Sequence, residues 1–200
     1  MKKVLALILA TVTFGACANV ITTQEYAKHF KDYDACFMLY NVNEQKVVSE
    51  YNPNNRCSQR IAANSTFKIA LSLMAFDQKI INQQTVFKWD GKKGFLSEHD
   101  KNQTPDSWMK YSVVWVSQII SPQLGYNNMK KYLANFHYGN QDISGDAGLN
   151  NGLTHSWLSS SLKILGQEQL NLLKGMLGNQ LGIKQEAIND TKQNMYLGKR

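Results

Sequence analysis

A single lysine interrupts the most apolar stretch of this chain. Lys68 stands within STFKIALSLMAFD, residues 65–77, where apolar side chains occupy nearly the whole circumference of the helix that the stretch predicts. Moving an ammonium group out of water is costly unless its charge is paired, neutralised or chemically changed. The segment therefore predicts a central buried helix whose fold has to accommodate one amine.

Residues 1–18 are not expected to belong to the folded domain. Lys2 and Lys3 supply a positive start, residues 4–14 are largely apolar, and Ala16-Cys17-Ala18 resembles a cleavage site. The apolar part is too short to span a bilayer comfortably, so the pattern favours a removed secretory signal over a stable membrane span. A lipoprotein attached through Cys17 is the alternative. Residues 19–200 are then predicted to form one secreted, periplasmic domain.

The cysteines, histidines and charges bear on three further properties: a disulfide, a metal site and nucleic-acid binding. Export would place Cys36 and Cys57 in an oxidising compartment, where they could form a disulfide, although two small buried thiols fit equally well. No pair of the four histidines is spaced to share a helical face, so no metal site is predicted. The net charge of +7 is dispersed, and nucleic acid is not an expected partner. No pattern specifies an oligomeric state.

The periodicity predicts an α-rich body with a β-hairpin near its start. Strands are expected over residues 36–42 and 46–51, and no strand is expected after residue 150, so the hairpin lacks sheet partners. A helix capped by Thr22 or Thr23 should end at Phe30, and the helix of residues 112–120 should end at Ser121-Pro122. Further helices are expected over residues 65–76, 106–111, 127–136 and 167–177, the last with Leu170, Leu173, Met176 and Leu177 facing inward.

The spacing of Ser65 and Lys68 suits nucleophilic catalysis. Residues three apart share a helical face, so the lysine amine could accept the proton of the serine hydroxyl. Apolar surroundings favour the neutral amine that this step requires, and a neutral amine can also add carbon dioxide to form a carbamate. Backbone N–H groups near the helix start could stabilise an oxyanion.

The same pattern occurs two more times, which weakens it as a signal on its own. Ser107 and Lys110 lie among polar and aromatic residues, whereas Ser160 and Lys163 have apolar neighbours. A lysine stem that runs along apolar surface with its head in water would explain all three pairs without catalysis.

Longer segments carry a family resemblance. Ser65-Thr-Phe-Lys68, Ser112-Val-Val114, Tyr138-Gly139-Asn140 and Trp157-Leu158 follow the order and rough spacing of class D serine β-lactamases, the oxacillinase type. The resemblance extends over roughly residues 35–197, and its strongest segments are STFKIALSLMAFD, WMKYSVVWVSQ, YGNQDISGD and NNGLTHSWLSSSLKI. It implies an α+β, β-lactamase/transpeptidase-like fold and hydrolysis of penicillin-type β-lactams, small-molecule substrates, with antibiotic resistance as the result.

The resemblance also implies roles for individual residues. Ser65 is similar to the nucleophile that becomes the acyl-enzyme, and Lys68 to the lysine that is carboxylated (N6-carboxylysine) and acts as general base. Ser112 is similar to the serine that relays a proton toward the β-lactam nitrogen. Carbon dioxide on Lys68 is the only addition implied, with no metal or organic cofactor. Val114 and Trp157 would support the carbamate, and Tyr138, Gly139 and Asn140 would border the pocket.

Each of these motifs also has an ordinary structural explanation. Ser112 could cap the helix that follows it. Gly139 and Asn140 could simply stop a helix, since both tolerate left-handed conformations. Trp157 could be a core residue without any polar role.

One expected motif is missing from the resemblance. A Lys-Thr-Gly strand and a later cationic residue that helps to hold the substrate carboxylate have no counterpart here, and Lys199 is no substitute because no Thr-Gly follows it. The chain is therefore expected to be a truncated family member without the C-terminal sheet strands, one that folds poorly and has weak activity. The rivals are a β-lactam sensor or a D,D-transpeptidase domain, which penicillin acylates without fast turnover, and a non-enzymatic binding module.

Overall fold

The computed structural model of this chain describes residues 23–94, 96–196 and 198. The expected signal sequence, residues 1–18, lies outside the described residues. Within the described part, no helix is both long and apolar enough to cross a membrane.

The described residues form an α-rich body with four short strands. The helices are α1 (Thr23–Phe30), α2 (Phe67–Asp77), α3 (Pro105–Lys110), α4 (Val114–Leu124), α5 (Tyr126–Asn135), α6 (Gly152–His155), α7 (Gly166–Leu177) and α8 (Gln185–Met195). The strands are β1 (Phe37–Asn41), β2 (Lys46–Tyr51), β3 (Ile61–Ala62) and β4 (Lys163–Ile164). Short 3₁₀ turns cover Pro53–Ser58, Asn64–Thr66 and Ser97–His99.

The predicted hairpin is present, and a helix supports it. Strands β1 and β2 pair antiparallel with Phe37 opposite Tyr51, and a bulge follows Leu39. Two aromatic rings of α1 pack onto this pair, with Tyr26 5.0 Å from Phe37 and Phe30 5.6 Å from Tyr51 between ring centroids. The missing sheet partner is thus replaced, on one side, by an aromatic helix cover.

The prediction that no strand follows residue 150 is wrong. Strand β4 pairs antiparallel with β3, so that Ile61 lies opposite Ile164 and Ala62 opposite Lys163. A two-residue strand is too short for alternation of apolar and polar residues to reveal it. This small sheet joins the segment just before Ser65 to the segment just after Trp157.

Helix α2 is the centre of the molecule, as its composition predicts. Its residues from Phe67 to Phe76 are buried, except Ile69, which is half-buried. Helix α8 packs across it, and the hydroxyls of Ser72 and Thr191 lie 2.9 Å apart in the interface. Helix α8 was not predicted because polar Thr191 and Asn194 occupy two of its four buried positions.

Two further helix expectations need correction. Helix α4 continues through Pro122 and ends at Leu124, and Gly125, which follows it, has φ +76°. Leu124, two residues after the proline, is buried, and the Ser121 hydroxyl donates to the Ser117 carbonyl at 2.9 Å. In α7, Met176 is buried as predicted and Leu170 and Leu173 are half-buried, but Leu177 is 49% exposed. Leu172, which was not predicted to face inward, is buried.

The open question about the cysteines is answered in the structure. Cys36 and Cys57 form a disulfide across 21 residues. It ties the segment before β1 to the 3₁₀ turn Pro53–Ser58. In the chain-entropy description, closing a loop of this size stabilises the folded state by about 3 kcal/mol.

Candidate active site

Ser65 lies in a turn that is held by hydrogen bonds to a segment distant in sequence. It lies in the 3₁₀ turn just before α2, and its predecessor Asn64 adopts φ +46°. The Asn64 amide donates to the Trp157 carbonyl at 2.7 Å, and its side-chain oxygen accepts from the Ser159 amide at 2.9 Å. These bonds hold the turn while the Ser65 residue itself stays exposed.

Lys68 is buried directly beside that hydroxyl. It is only 2% exposed, and its Nζ lies 3.2 Å from the Ser65 Oγ. Burial lowers the pKa of Lys68 from its ordinary value to about 8. Of the ion pairs found among the described residues, none includes Lys68. Burial thus makes the neutral, proton-accepting form of this amine far more accessible than that of an ordinary lysine.

The three Ser-x-x-Lys pairs have different environments in the structure. Ser107 accepts from the Thr104 amide at 2.8 Å as part of a capping box, and Lys110 is exposed. Lys163 lies on strand β4 and is also exposed. Within the described chain, only Ser65 and Lys68 combine helical spacing with a buried amine.

A cavity of about 240 Å³ brings the three predicted catalytic residues together. Ser65 lines it from the 3₁₀ turn before α2, Lys68 from the first turn of α2, and Ser112 from the turn between α3 and α4. The sequence reasoning did not assign a role to the remaining lining residues, which are Ile69, Met109, Lys110, Asn194 and Met195. Asn194 was missed because α8 was missed, and its Nδ2 has no hydrogen-bond partner among the described residues.

Ser112 adopts an unusual backbone conformation. Its φ is +55°, in the left-handed region that a serine seldom occupies. The residue that caps α4 is Val113, so the ordinary explanation of Ser112 as a helix cap does not hold. Backbone conformations of this kind cluster at functional sites, and Ser112 lines the same cavity as Ser65.

Trp157 is fully buried next to the start of α2. Its ring centroid lies 5.1 Å from that of Phe67. Its indole Nε1 is buried and finds no acceptor among the residues that the structure describes. A buried N–H without a partner is costly, so an acceptor not provided by these side chains would be stabilised there.

Val114 lines a different, neighbouring cavity. It is half-buried at the first residue of α4, and with Trp115 and His99 it borders a space of about 440 Å³. It is not among the residues that line the cavity of Ser65.

Tyr138, Gly139 and Asn140 form a support behind α2. The Tyr138 ring packs edge-on against Phe67 at 5.7 Å, and burial raises the pKa of its phenol. Gly139 has φ +55°, and a Cβ there would clash with the carbonyl oxygen of Lys163. Asn140 accepts from the Lys163 amide at 3.0 Å and donates to the Ser161 carbonyl at 2.8 Å. Tyr138 therefore supports the start of α2, whereas Gly139 and Asn140 fix the position of strand β4.

The geometry suits attack of an activated hydroxyl on a carbonyl carbon. The buried Lys68 amine lies within hydrogen-bond distance of the Ser65 hydroxyl, and a second hydroxyl, that of Ser112, belongs to a residue that lines the same cavity. Among the described residues, no group of three or more His, Cys, Asp or Glu side chains is positioned to hold a metal ion.

Comparison with known proteins shows which family this chain resembles. The family described as "Penicillin binding protein transpeptidase domain" matches residues 35–199. The chain is 44% identical to "Beta-lactamase OXA-1" of Escherichia coli over 192 residues, which is 96% of this chain and 69% of that protein. Across the first curated relatives, the chain spans between 28% and 69% of their length.

Solved structures share the fold that the sequence predicts. A class D β-lactamase from Bacillus subtilis matches with a TM-score of 0.79 and 29% identity, over 87% of this chain and 70% of that chain. The C-terminal domain of the Bacillus licheniformis BlaR penicillin receptor matches with a TM-score of 0.77 and 31% identity, over 86% and 68% respectively.

Proposed function

Because the chain belongs to the penicillin-binding protein transpeptidase family, and within it to the class D β-lactamases, we propose that it opens penicillin-type β-lactams through an acyl-enzyme on Ser65. The observation that carries this proposal is the 3.2 Å contact between the buried Lys68 amine and the Ser65 hydroxyl. Hydrolysis of the drug in this way would confer antibiotic resistance.

The first half of the reaction is acylation. The Ser65 oxygen attacks the β-lactam carbonyl while its proton passes to the base at Lys68. The C–N bond of the ring then breaks, and the ring nitrogen receives that proton from Lys68 through the Ser112 hydroxyl, which lines the same cavity.

Water completes the cycle by attacking the ester. Its proton passes to the base at Lys68 and then to the Ser65 oxygen as the ester C–O bond breaks, which releases the acid and restores Ser65.

Lys68 carrying covalently bound carbon dioxide is a second part of the proposal. A carbamate would supply an anionic oxygen base at this position. The residues present fit such a group: the lysine is buried with a pKa near 8, and the Trp157 Nε1 is a buried donor without an acceptor among the described side chains. Trp157 and Ser65 would hold the carbamate oxygens, and the apolar side chains of α2 would limit water.

This state predicts a dependence of activity on pH and bicarbonate. Only the neutral amine reacts with carbon dioxide, and with a pKa of about 8 roughly a tenth of the amine is neutral at pH 7. After decarboxylation at acid pH, activity assayed at pH 7 should therefore rise severalfold on addition of bicarbonate. The gain should be smaller at pH 8.5, because most of the amine is neutral there and less bicarbonate is needed to carboxylate it. Nitrocefin hydrolysis measures the effect, with sodium chloride at equal ionic strength as control. Indifference to bicarbonate would count against the carbamate.

The penicillin-receptor match supports one rival function, a sensor that is acylated but deacylates slowly. A transpeptidase would also be labelled without fast turnover. The protein should give a Ser65-linked adduct by mass spectrometry and then, at a low rate, hydrolyse more than one equivalent of penicillin. A single stoichiometric burst would favour the sensor or the transpeptidase, and no adduct at all would refute the proposed chemistry.

A secreted, periplasmic location is proposed on two grounds. Residues 1–18 have the composition of a secretory signal. The Cys36–Cys57 disulfide is the kind of bond that persists in oxidising compartments.

A further inference from the structure

A lysine that the proposed chemistry does not use lines the cavity of Ser65. Lys110 is the last residue of α3 and borders that cavity together with Ser65 and Ser112. Its Nζ lies 5.5 Å from the centroid of the Tyr111 ring, and the Nζ of Lys101 lies 5.1 Å from the same centroid. The Tyr111 ring thus lies within cation–π distance of two ammonium groups, one of which belongs to a residue that lines the cavity.

The positive charge of Lys110 is not compensated nearby. The residues that line the cavity include no aspartate or glutamate. The ion pairs found among the described residues are Lys46–Glu44, Arg56–Asp34, Arg60–Glu168 and Lys92–Asp90, so neither Lys101 nor Lys110 takes part in one. Asp106, one helical turn before Lys110, is exposed and does not pair with it. A cation in this position attracts an anion that enters the cavity.

From this arrangement, we infer that Lys110 is a specificity-determining residue that binds a carboxylate of the β-lactam. The inference rests on the proposed function, because it assigns the substrate of the same site. The carboxylate has two possible sources: the one on the ring system, which all penicillins carry, or a second one on the acyl side chain of some penicillins. The ammonium group would contribute to binding rather than to the bond-breaking steps, since Lys68 and Ser112 already account for the proton transfers.

Substitutions at Lys110 can separate charge from shape. Lys110→Gln removes the charge, Lys110→Glu reverses it and Lys110→Arg retains it. Lys131→Gln, at an exposed position of α5, is the control for loss of one positive charge. The measured quantities are kcat, KM and the acylation rate constant for benzylpenicillin and for a penicillin with a carboxylated side chain, at low and high salt. Thermal unfolding checks that each variant is folded.

We expect Lys110→Gln to raise KM about fivefold with kcat nearly unchanged, and Lys110→Glu to raise it about twentyfold, as suits one solvent-exposed charge contact. Lys110→Arg should restore wild-type KM, Lys131→Gln should stay within about twofold of it, and high salt should reduce the differences. An effect on both penicillins identifies the ring carboxylate, and an effect on the dicarboxylate alone identifies the side chain.

Unchanged KM in Lys110→Glu for both substrates would overturn the inference, as would a Lys110→Arg variant as impaired as Lys110→Gln. These outcomes leave the proposed function intact when the wild-type protein is acylated. A wild-type protein that penicillin does not acylate would overturn the proposed function and this inference together.

Discussion

Replacing Ser65 by alanine should lower β-lactam hydrolysis by about 10³-fold or more, because the oxygen atom that we propose forms the acyl-enzyme is removed. The fold should be unaffected, since Ser65 is exposed and the bonds that fix its turn are made by Asn64. Nitrocefin hydrolysis and intact-protein mass after penicillin treatment measure the two halves of the effect.

The matched control for Ser65→Ala is Ser160→Ala, which alters the serine of the third Ser-x-x-Lys pair. Ser160 is half-buried and does not line the cavity of Ser65, so its replacement should leave the fold and penicillin labelling intact. A penicillin adduct that persists in Ser65→Ala would exclude Ser65 as the nucleophile and return the search to the other two serines.

Replacing Lys68 by methionine should reduce kcat/KM by a similar factor, about 10³-fold, because the buried base is lost while the shape is largely kept. The lysine is 2% exposed among apolar side chains, so methionine should be tolerated or even stabilising. Lys163→Met, on an exposed strand position, is the control and should retain activity. Near-normal activity of Lys68→Met, with or without bicarbonate, would exclude this residue as the base.

Lys68→Met should also differ from wild type in how the free energy of unfolding depends on pH. The pKa of Lys68 is about 8 when folded and 10.5 in its ordinary state, so the folded protein binds fewer protons between those values. Burial therefore destabilises the protein below about pH 8, and this penalty is relieved as the pH rises toward 10.5. The free energy of unfolding of wild type should increase with pH across that window relative to Lys68→Met. A constant difference between the two proteins would mean that the amine is not desolvated.

The parts of the site that the sequence predicted are those set by local geometry. Ser65 and Lys68 meet because they are three residues apart near the start of one helix, and the apolar neighbours that lower the lysine pKa belong to the same segment. The hairpin of β1 and β2 was likewise predictable from alternation and a short turn.

The parts that escaped prediction depend on tertiary contacts. Helix α8 buries Thr191 against Ser72, so its inward face is partly polar and carries a weak periodic signal. Strand β4 has two residues and is held by Asn140, from a loop more than twenty positions earlier. The left-handed φ of Ser112 has no signature in its own residue type, because serine is common in many conformations.

The bonds from Asn64 to Trp157 and Ser159 separate two properties of the active centre. The reacting pair is encoded within four consecutive residues and needs only one helical turn to assemble. The turn that holds the pair is anchored by the segment of Trp157 and Ser159. Ser159 is 95 positions from Asn64, so this contact requires closure of a long loop. The pairing of Ser65 with Lys68 is thus determined by the local sequence, whereas the rigid position of the pair depends on contacts between distant segments of the chain.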